Sequence, residues 1–218
     1  MELKDTLKFL SELSSNNSRE WFDANRKTYQ ERRSDFLELV NNVINDIAQF
    51  DGNLAGVESK KCVFRINRDI RFSKDKTPYK TNFGALMGDL GKKTEGTGYY
   101  IHIMPGNSFV GGGIYMPAPE KLAAIRQEID YNPNGLKQLI ESEDFKSTFG
   151  DIKGDALKTA PKGYPKDHPN IELLRLKSFY VVKNYSDQEL ASEGFYKDAI
   201  ATYKKAKKFN DYLNHALS

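Results

Sequence analysis

Apolar and polar residues alternate with a period of two through the middle third of this chain, whereas both flanking thirds follow a helical period. The alternating runs are residues 63–72, 79–87, 99–104 and 108–115, and turns rich in Gly, Pro and Asn separate them. Parallel strands need long crossover connections, so short turns favour antiparallel pairing of consecutive strands. The sequence therefore predicts an antiparallel β-meander or sheet of about four to six strands.

The flanking thirds predict helices that pack against this sheet. Leucines recur at helical spacing from Leu3 to Leu13, Asn17 or Ser18 can cap a second helix, and residues 27–50 suit a longer one. Later signals are helix starts at Pro119, Asn132-Pro133 and Ser142, an extended loop at 158–170, a strand at 178–182 and a helix at 193–217. These patterns predict one α+β domain over residues 1–218, helical in 1–52, β-rich in 60–117 and helical in 118–218.

Composition argues against several classes of protein. No stretch approaches the roughly 20 apolar residues that a transmembrane helix requires, so a membrane protein is not expected. The first residues combine helical periodicity with mixed charge, unlike the basic start and apolar run of a signal peptide. Cys62 is the single cysteine, which excludes an intramolecular disulfide and argues against a cysteine-based zinc site. Together these features predict a cytoplasmic protein.

Positive charge is concentrated in one short segment, residues 60–80. The segment contains eight Lys or Arg and two Asp, a local charge of +6 in a chain whose formal net charge is +3. The other 197 residues therefore sum to −3. Clustered guanidinium and ammonium groups repel one another unless an anion or an internal carboxylate offsets them. This segment is the main candidate for a functional site.

Alternate residues of a strand share a face, and this rule divides the basic segment into two rows. The polar row contains Arg65, Asn67, Asp69 and Arg71. The other row surrounds Arg68 with large apolar side chains, which are Phe64, Ile66, Ile70 and Phe72. A buried guanidinium is costly unless it is paired and hydrogen-bonded, so we expect a carboxylate partner for Arg68, with Glu20 as one candidate.

The turn at residues 73–78 adds chemistry that suits a phosphate or carboxylate group. It supplies ammonium groups, hydroxyls and backbone amides, and Pro78 stiffens it. If the two arms pair as a hairpin, their polar faces join into one patch. The predicted ligand-binding residues are Arg65, Asn67, Arg68, Arg71, Lys74, Lys76 and Lys80. Phe72, Tyr79 and Phe83 are interleaved with them, a mixture that suits phosphate contact combined with stacking.

Four residues are candidates for proton transfer if the protein is an enzyme: Asp69, Asp75, Tyr79 and His102. His102 is a candidate general base because an imidazole ordinarily titrates near neutral pH, although a single His within a sheet is commonly structural. No metal site is predicted, because the three histidines are dispersed and the basic neighbours of Asp69 and Asp75 oppose cation binding. Whether a cofactor is bound is unknown from the sequence.

Three consecutive glycines, residues 111–113, interrupt the fourth alternating run. Glycines inside a strand mark a bulge, or a place where another backbone or a ligand approaches closely. The sequence leaves these interpretations open.

Several segments together resemble a known family. The string FRINRDIRFSKDKTPYKTNFGALM at residues 64–87 resembles the signature of an uncharacterised bacterial family defined as a domain of unknown function. The same resemblance continues in FLSELSSNNSREWFDANRKTYQ, GYYIHIMPGNSFVGGGIYMP and LKTAPKGYPKDHPNIELLRLKSF, so it covers most of the chain. It implies that these segments belong together, and it carries over no reaction, cofactor or ligand.

Three hypotheses about function follow from the residues. In the first, the basic hairpin binds a phosphate-bearing or other anionic ligand, either a small molecule or nucleic acid. In the second, the same residues belong to an enzyme that acts on an anionic substrate. In the third, Arg65, Arg68, Asp69 and Arg71 form an internal ion-pair network without a ligand.

Overall fold

The computed structural model describes residues 3–218 and confirms the predicted α+β class. Three helices precede the sheet: α1 (Leu3–Ser15), α2 (Arg19–Ala24) and α3 (Arg26–Ala48). Ser18 caps α2 as predicted, because its hydroxyl accepts a hydrogen bond from the Trp21 backbone N–H at 3.2 Å. A short helix, α4 (Ser59–Cys62), then leads into the basic segment.

Four strands form one antiparallel sheet in the order β1-β2-β3-β4. Their bounds are β1 Phe83–Met87, β2 Gly98–Ile103, β3 Ser108–Ile114 and β4 Phe179–Tyr185. The last three were predicted closely, whereas the predicted strand at 79–87 becomes regular only at Phe83. The predicted strand at residues 63–72 is wrong, because that segment makes isolated bridges at Val63 and Asn67 in place of a continuous ladder.

Helices follow β3 and flank β4. Pro residues occupy the first turns of α5 (Pro119–Tyr131) and α6 (Pro133–Glu141), and Ser142 caps α7 (Glu143–Phe149), all at predicted starts. The remaining helices are α8 (Ile171–Leu174), α9 (Asp187–Leu190) and α10 (Phe195–Ala216). Residues 158–170 contain neither helix nor strand, which agrees with the predicted loop.

Burial alternates along the sheet, so one face lies in the core and the other keeps partial exposure. On β2, Ile101 and Ile103 are buried while Tyr100 and His102 are half-buried. On β1, Phe83 belongs to the buried face, where its ring contacts three aromatic side chains of α1 and α3, namely Phe9, Tyr29 and Phe36. The half-buried face of β2 is therefore the side of the sheet turned away from those helices.

Close packing explains the three glycines of β3. A Cβ atom on Gly111 or Gly113 would collide with the backbone of β4, and Gly113 has a φ of 133° that other residues rarely adopt. A Cβ atom on Gly112 would lie 3.1 Å from the Cβ atom of Ala206 on α10. Of the interpretations that the sequence left open, close approach by another backbone is confirmed.

The chain divides into two compact units. The first contains the described chain up to Lys93 together with Tyr100–Val110 and Asn184–Ile200; the second contains Thr94–Tyr99, Gly111–Lys183 and Ala201–Ser218. All residues of the basic segment belong to the first unit. Whether residues 1–218 fold as a single domain stays a prediction. Within residues 3–218, no helix combines the length and the apolarity needed to cross a membrane.

Candidate functional site

The basic segment folds back on itself as an irregular hairpin, which we call the basic hairpin (residues 63–85). Its arms run antiparallel through bridges between Val63 and Ala85 and between Asn67 and Tyr79. Backbone hydrogen bonds support this pairing, among them Lys80 N–H to the Ile66 carbonyl at 2.8 Å. The predicted pairing of the two arms is therefore present, although neither arm forms a regular strand before Phe83.

The two arms of the basic hairpin differ in length between their bridges. Four positions separate Val63 from Asn67, whereas six separate Tyr79 from Ala85, so the return arm accommodates two extra residues. Extra residues in one arm form a bulge, and bulges re-aim the side chains beside them. Here the extra residues lie between Lys80, whose N–H still pairs with the Ile66 carbonyl, and Gly84, whose carbonyl pairs with the Phe64 N–H, so the bulge includes Asn82.

Exposure in the outgoing arm follows the predicted alternation as far as Ile70. All four members of the polar row are exposed, and Ile66 of the other row is 3% exposed. The alternation then ends, because Phe72 is 96% exposed and lies outside the core. The expectation that Phe72 helps to bury Arg68 is wrong.

Arg68 has the carboxylate partner that its position predicts, and the partner is Asp75 of the turn. Its Nη1 atom lies 2.5 Å from Asp75 Oδ2 and also donates hydrogen bonds to the carbonyl and hydroxyl oxygens of Thr77. The Arg68 side chain retains 25% exposure, so it braces the turn from the surface instead of entering the core. Glu20, the partner suggested from the sequence, is not the observed one; Asp75 lies much closer to Arg68 along the chain.

Both carboxylates of the basic hairpin are held by hydrogen bonds to neighbours in the same loop. Asp69 accepts bonds from Arg71 Nε at 2.9 Å and Arg71 Nη2 at 2.6 Å, which lowers its pKa. Asp75 accepts bonds from the Thr77 backbone N–H, the Thr77 hydroxyl and Arg68, and these lower its pKa to about 2. Carboxylates held ionised in this way are weak proton acceptors at neutral pH.

The cations of the segment differ in how they are compensated. Lys61 pairs with Glu58 at 2.6 Å, and Lys76 Nζ donates to the Ile70 carbonyl at 3.0 Å. By contrast, Arg65 and Lys74 are exposed and make no ion pair or side-chain hydrogen bond with any residue between positions 3 and 218. Neither residue has a directly paired carboxylate, although the charge of Arg65 contributes at longer range to the lowered pKa of Asp69.

Lys80 is the least expected member of the set, because its ammonium group is half-buried. Its Nζ atom lies 5.4 Å from the centre of the Phe64 ring, a cation–π contact. Burial lowers the pKa of Lys80, and the positive charge of Arg65 lowers it further. Two cations that repel each other, neither of them directly paired with a carboxylate, favour binding of an anion between them.

Tyr79 lies in the core, where it has a structural role. The residue is 7% exposed, and its ring stacks on Phe22 with centroids 3.9 Å apart. The side-chain amide of Asn17 accepts from the Tyr79 backbone N–H at 3.1 Å and donates to the Tyr79 carbonyl at 2.9 Å. The turn between α1 and α2 therefore fixes the return arm of the hairpin, a contact that the sequence did not predict.

His102 joins the site through the bulge. Its Nδ1 atom lies 3.5 Å from the Asn82 side-chain nitrogen and 3.3 Å from the Tyr100 hydroxyl. Burial lowers the pKa of His102 and raises the pKa of Tyr100 to about 12, so both side chains are neutral at pH 7. An amide nitrogen can only donate, so Nδ1 accepts and the neutral imidazole carries its proton on Nε2.

The contact between His102 and Asn82 was not predicted from the sequence. It depends on the extra residues in the return arm, which can be recognised only once the pairing of the two arms is known. The alternation along β2 did indicate that Tyr100 and His102 share a face. Among residues 3–218, no group of three or more His, Cys, Asp or Glu is arranged to hold a metal ion.

Comparison with known proteins identifies the family. The model of a family described as "conserved hypothetical protein (DUF2461)" matches residues 5–212. The chain belongs to this family. The resemblance seen in the sequence, to a domain of unknown function, is thereby confirmed. No curated protein and no solved structure matches the chain significantly, so family membership is what the comparisons establish.

Proposed function

We propose that this protein binds a phosphate-bearing or other anionic ligand at the basic hairpin. The observation that carries the proposal is the half-buried Lys80 ammonium beside the Arg65 guanidinium, with no carboxylate bound to either within residues 3–218. Burying or clustering like charges is unfavourable, and an anion between them offsets that cost with charge-assisted hydrogen bonds. Lys74, on the turn, supplies a third cation without a directly paired carboxylate.

The paired residues of the basic hairpin frame this site. Arg68 and Arg71 are bound by Asp75 and Asp69, so they shape the loop and offer only their remaining N–H groups to a ligand. Lys76 similarly holds the Ile70 carbonyl. Asn67 is exposed on the same row as Arg65 and is available as an additional donor.

Binding is better supported than catalysis. Of the residues proposed for proton transfer, Asp69 and Asp75 are held ionised, and Tyr79 stacks in the core. In the tautomer whose Nδ1 accepts from the Asn82 amide, His102 offers an Nε2–H donor to a ligand. The third hypothesis, an internal ion-pair network, is less favoured, because the Arg71–Asp69 pair leaves 76% and 46% of the two side chains exposed. Exposed pairs contribute little to stability.

We also propose a cytoplasmic location, which the lack of any cysteine besides Cys62 supports.

Titration with ribose 5-phosphate, followed by NMR at low ionic strength, tests the proposal. We expect Arg65→Gln and Lys80→Gln each to weaken binding about tenfold, because each removes one charge-assisted contact. Binding should also weaken as salt is added. Lys61→Gln is the matched control, because it also removes one charge from residues 60–80, but a charge that Glu58 already compensates. The affinity of this variant for ribose 5-phosphate should stay within about twofold of the wild-type value. Wild-type affinity in both Arg65→Gln and Lys80→Gln would contradict the proposal.

A further inference from the structure

Four rings form a continuous series on the half-buried face of the sheet, which we call the aromatic platform: Phe64, Tyr100, His102 and Phe109. The centroids of Phe64 and Tyr100 lie 6.3 Å apart, and those of Tyr100 and Phe109 lie 5.7 Å apart. His102 and Phe109 stack almost in parallel, with centroids 4.7 Å apart and an interplanar angle of 9°. The rings thus come from the outgoing arm of the hairpin, from β2 and from β3, and Gly84 of β1 lies between Phe64 and Tyr100 without a side chain that would separate them.

The platform retains solvent exposure, which separates it from the aromatic residues that the sequence suggested for stacking. All four of its rings are half-buried. Tyr79 and Phe83 are buried instead, where Tyr79 stacks on Phe22 and Phe83 stacks on Phe36. A stacking ligand therefore has access to the platform and not to Tyr79 or Phe83.

The platform adjoins the proposed anion site at Phe64. The Lys80 ammonium lies over the Phe64 ring, and the Arg65 charge is near enough to lower the pKa of Lys80. Cationic groups at one end of a series of aromatic rings match a ligand that joins a flat ring to a phosphate. Antiparallel sheets with aromatic side chains on adjacent strands bind unpaired nucleobases by this combination of stacking and phosphate contact.

We propose that the ligand is a nucleotide unit, with its base stacked on the aromatic platform and its phosphate at Lys80 and Arg65. The proposal rests on the anion-binding function proposed above and specifies its ligand class. A nucleotide unit is present both in a free mononucleotide and in single-stranded RNA or DNA. The Nε2–H of His102 supplies a hydrogen-bond donor beside the stacked base.

The test compares phosphate ligands with and without a base, using the full chain. AMP is compared with ribose 5-phosphate, and a five-residue adenosine oligonucleotide with its abasic counterpart, by NMR titration. We expect the base to strengthen binding about tenfold in at least one of these pairs. AMP that binds as tightly as the oligonucleotide indicates a free nucleotide, and a tighter, salt-sensitive oligonucleotide indicates a single strand.

Phe109→Leu removes a platform ring without changing Lys80. Ligands with a base should then bind this variant no more tightly than ligands without one, while its affinity for ribose 5-phosphate should stay within about twofold of the wild-type value. Phe72→Leu makes the same chemical change at an exposed ring of the basic hairpin and should retain the advantage. Thermal unfolding checks that Phe109→Leu is folded, and Tyr100→Leu replaces it if not.

Equal binding with and without a base in both pairs overturns the nucleotide inference and leaves the anion site standing. An advantage of the base that survives Phe109→Leu or its replacement also overturns it. A chain that binds none of the four ligands overturns both proposals.

Discussion

Lys80 and Arg71 carry the same formal charge in the same segment, yet their surroundings give them different roles. Arg71 is exposed and its guanidinium is bound in two places by Asp69, so its charge is neutralised within the loop. Lys80 is half-buried beside Arg65 and contacts an aromatic ring instead of a carboxylate. The net charge of residues 60–80 therefore overstates the positive charge that is available to a ligand. The burial and the pairing of each side chain decide how much is available.

At the residue scale, His102 predicts a dependence of stability on pH. Burial lowers the pKa of His102 below its ordinary value of 6.5, so below that pH the unfolded chain binds a proton that the folded chain does not. The free energy of unfolding should therefore fall as the pH drops through about 6.5, and level off once the folded-state pKa is passed. His102→Gln should show a smaller change across this window in urea denaturation at several pH values.

His215→Gln is the control for this measurement, because His215 is exposed near the end of α10. The free energy of unfolding of the His215→Gln protein should depend on pH in the same way as that of the wild type. A His102→Gln protein whose pH profile coincides with that of the wild type would contradict the burial argument.

At the element scale, the basic hairpin is shaped by contacts outside its own arms. Asn17 in the α1–α2 turn binds both backbone groups of Tyr79, as a neighbouring strand would, and Phe22 of α2 covers the Tyr79 ring. The Tyr79 groups that bond Asn17 face away from the opposite arm, whose bonds come from the neighbouring residues, such as Arg68 N–H to the Pro78 carbonyl. The predicted strand at 63–72 is irregular because the pairing shifts by two residues between its two bridges. The Asn17 contact anchors the return arm at Tyr79, three residues before Asn82 of the bulge.

Asn17→Ala should destabilise the protein by about 2 kcal/mol, because it leaves the N–H and carbonyl groups of a buried residue without their partners. Asn16→Ala is the matched control, since the Asn16 side chain is exposed and its one side-chain hydrogen bond within residues 3–218 goes to the Glu12 carbonyl, one turn earlier. Its effect should stay within about 0.5 kcal/mol. Equal unfolding free energies of the two variants in urea denaturation would show that the Asn17 contact contributes nothing.

At the scale of the whole molecule, close approaches between segments distant in sequence determine which small residues are required. Gly112 of β3 lies against Ala206 and Asn210 of α10, more than 90 positions later. The same unit buries Asn210, whose amide nitrogen donates to the Gly98 carbonyl at 3.3 Å. A side chain at position 112 would therefore press on both an apolar and a polar neighbour.

Gly112→Ala should lower the free energy of unfolding by about 1–3 kcal/mol, since its Cβ atom would lie 3.1 Å from the Ala206 Cβ atom and 3.2 Å from Asn210 Oδ1. Gly52→Ala is the matched control, because a Cβ atom there meets nothing within 4 Å. Thermal and urea unfolding compare the two. A neutral Gly112→Ala would mean that α10 shifts at no cost to make room.

Much of the fold could be predicted because its signals are local. Ser18, Pro119, Pro133 and Ser142 each begin a helix through chemistry confined to a single turn. The alternation along β2 predicted that Tyr100 and His102 share a face. The carboxylate partner of Arg68 also followed from the cost of an unpaired guanidinium, although its identity as Asp75 did not, because the turn geometry selects among nearby acids.

The sequence alone determined the α+β class, the antiparallel sheet, the family resemblance and the concentration of charge in residues 60–80, since each depends on spacing or composition. The tertiary structure decided which charges are neutralised, which aromatic rings stay accessible, and that the bulge brings Asn82 to His102. Those outcomes depend on strand register and on contacts between distant segments, such as Asn17 with Tyr79. The alternation of side chains cannot specify them, because a shift in register changes every neighbour without changing the pattern.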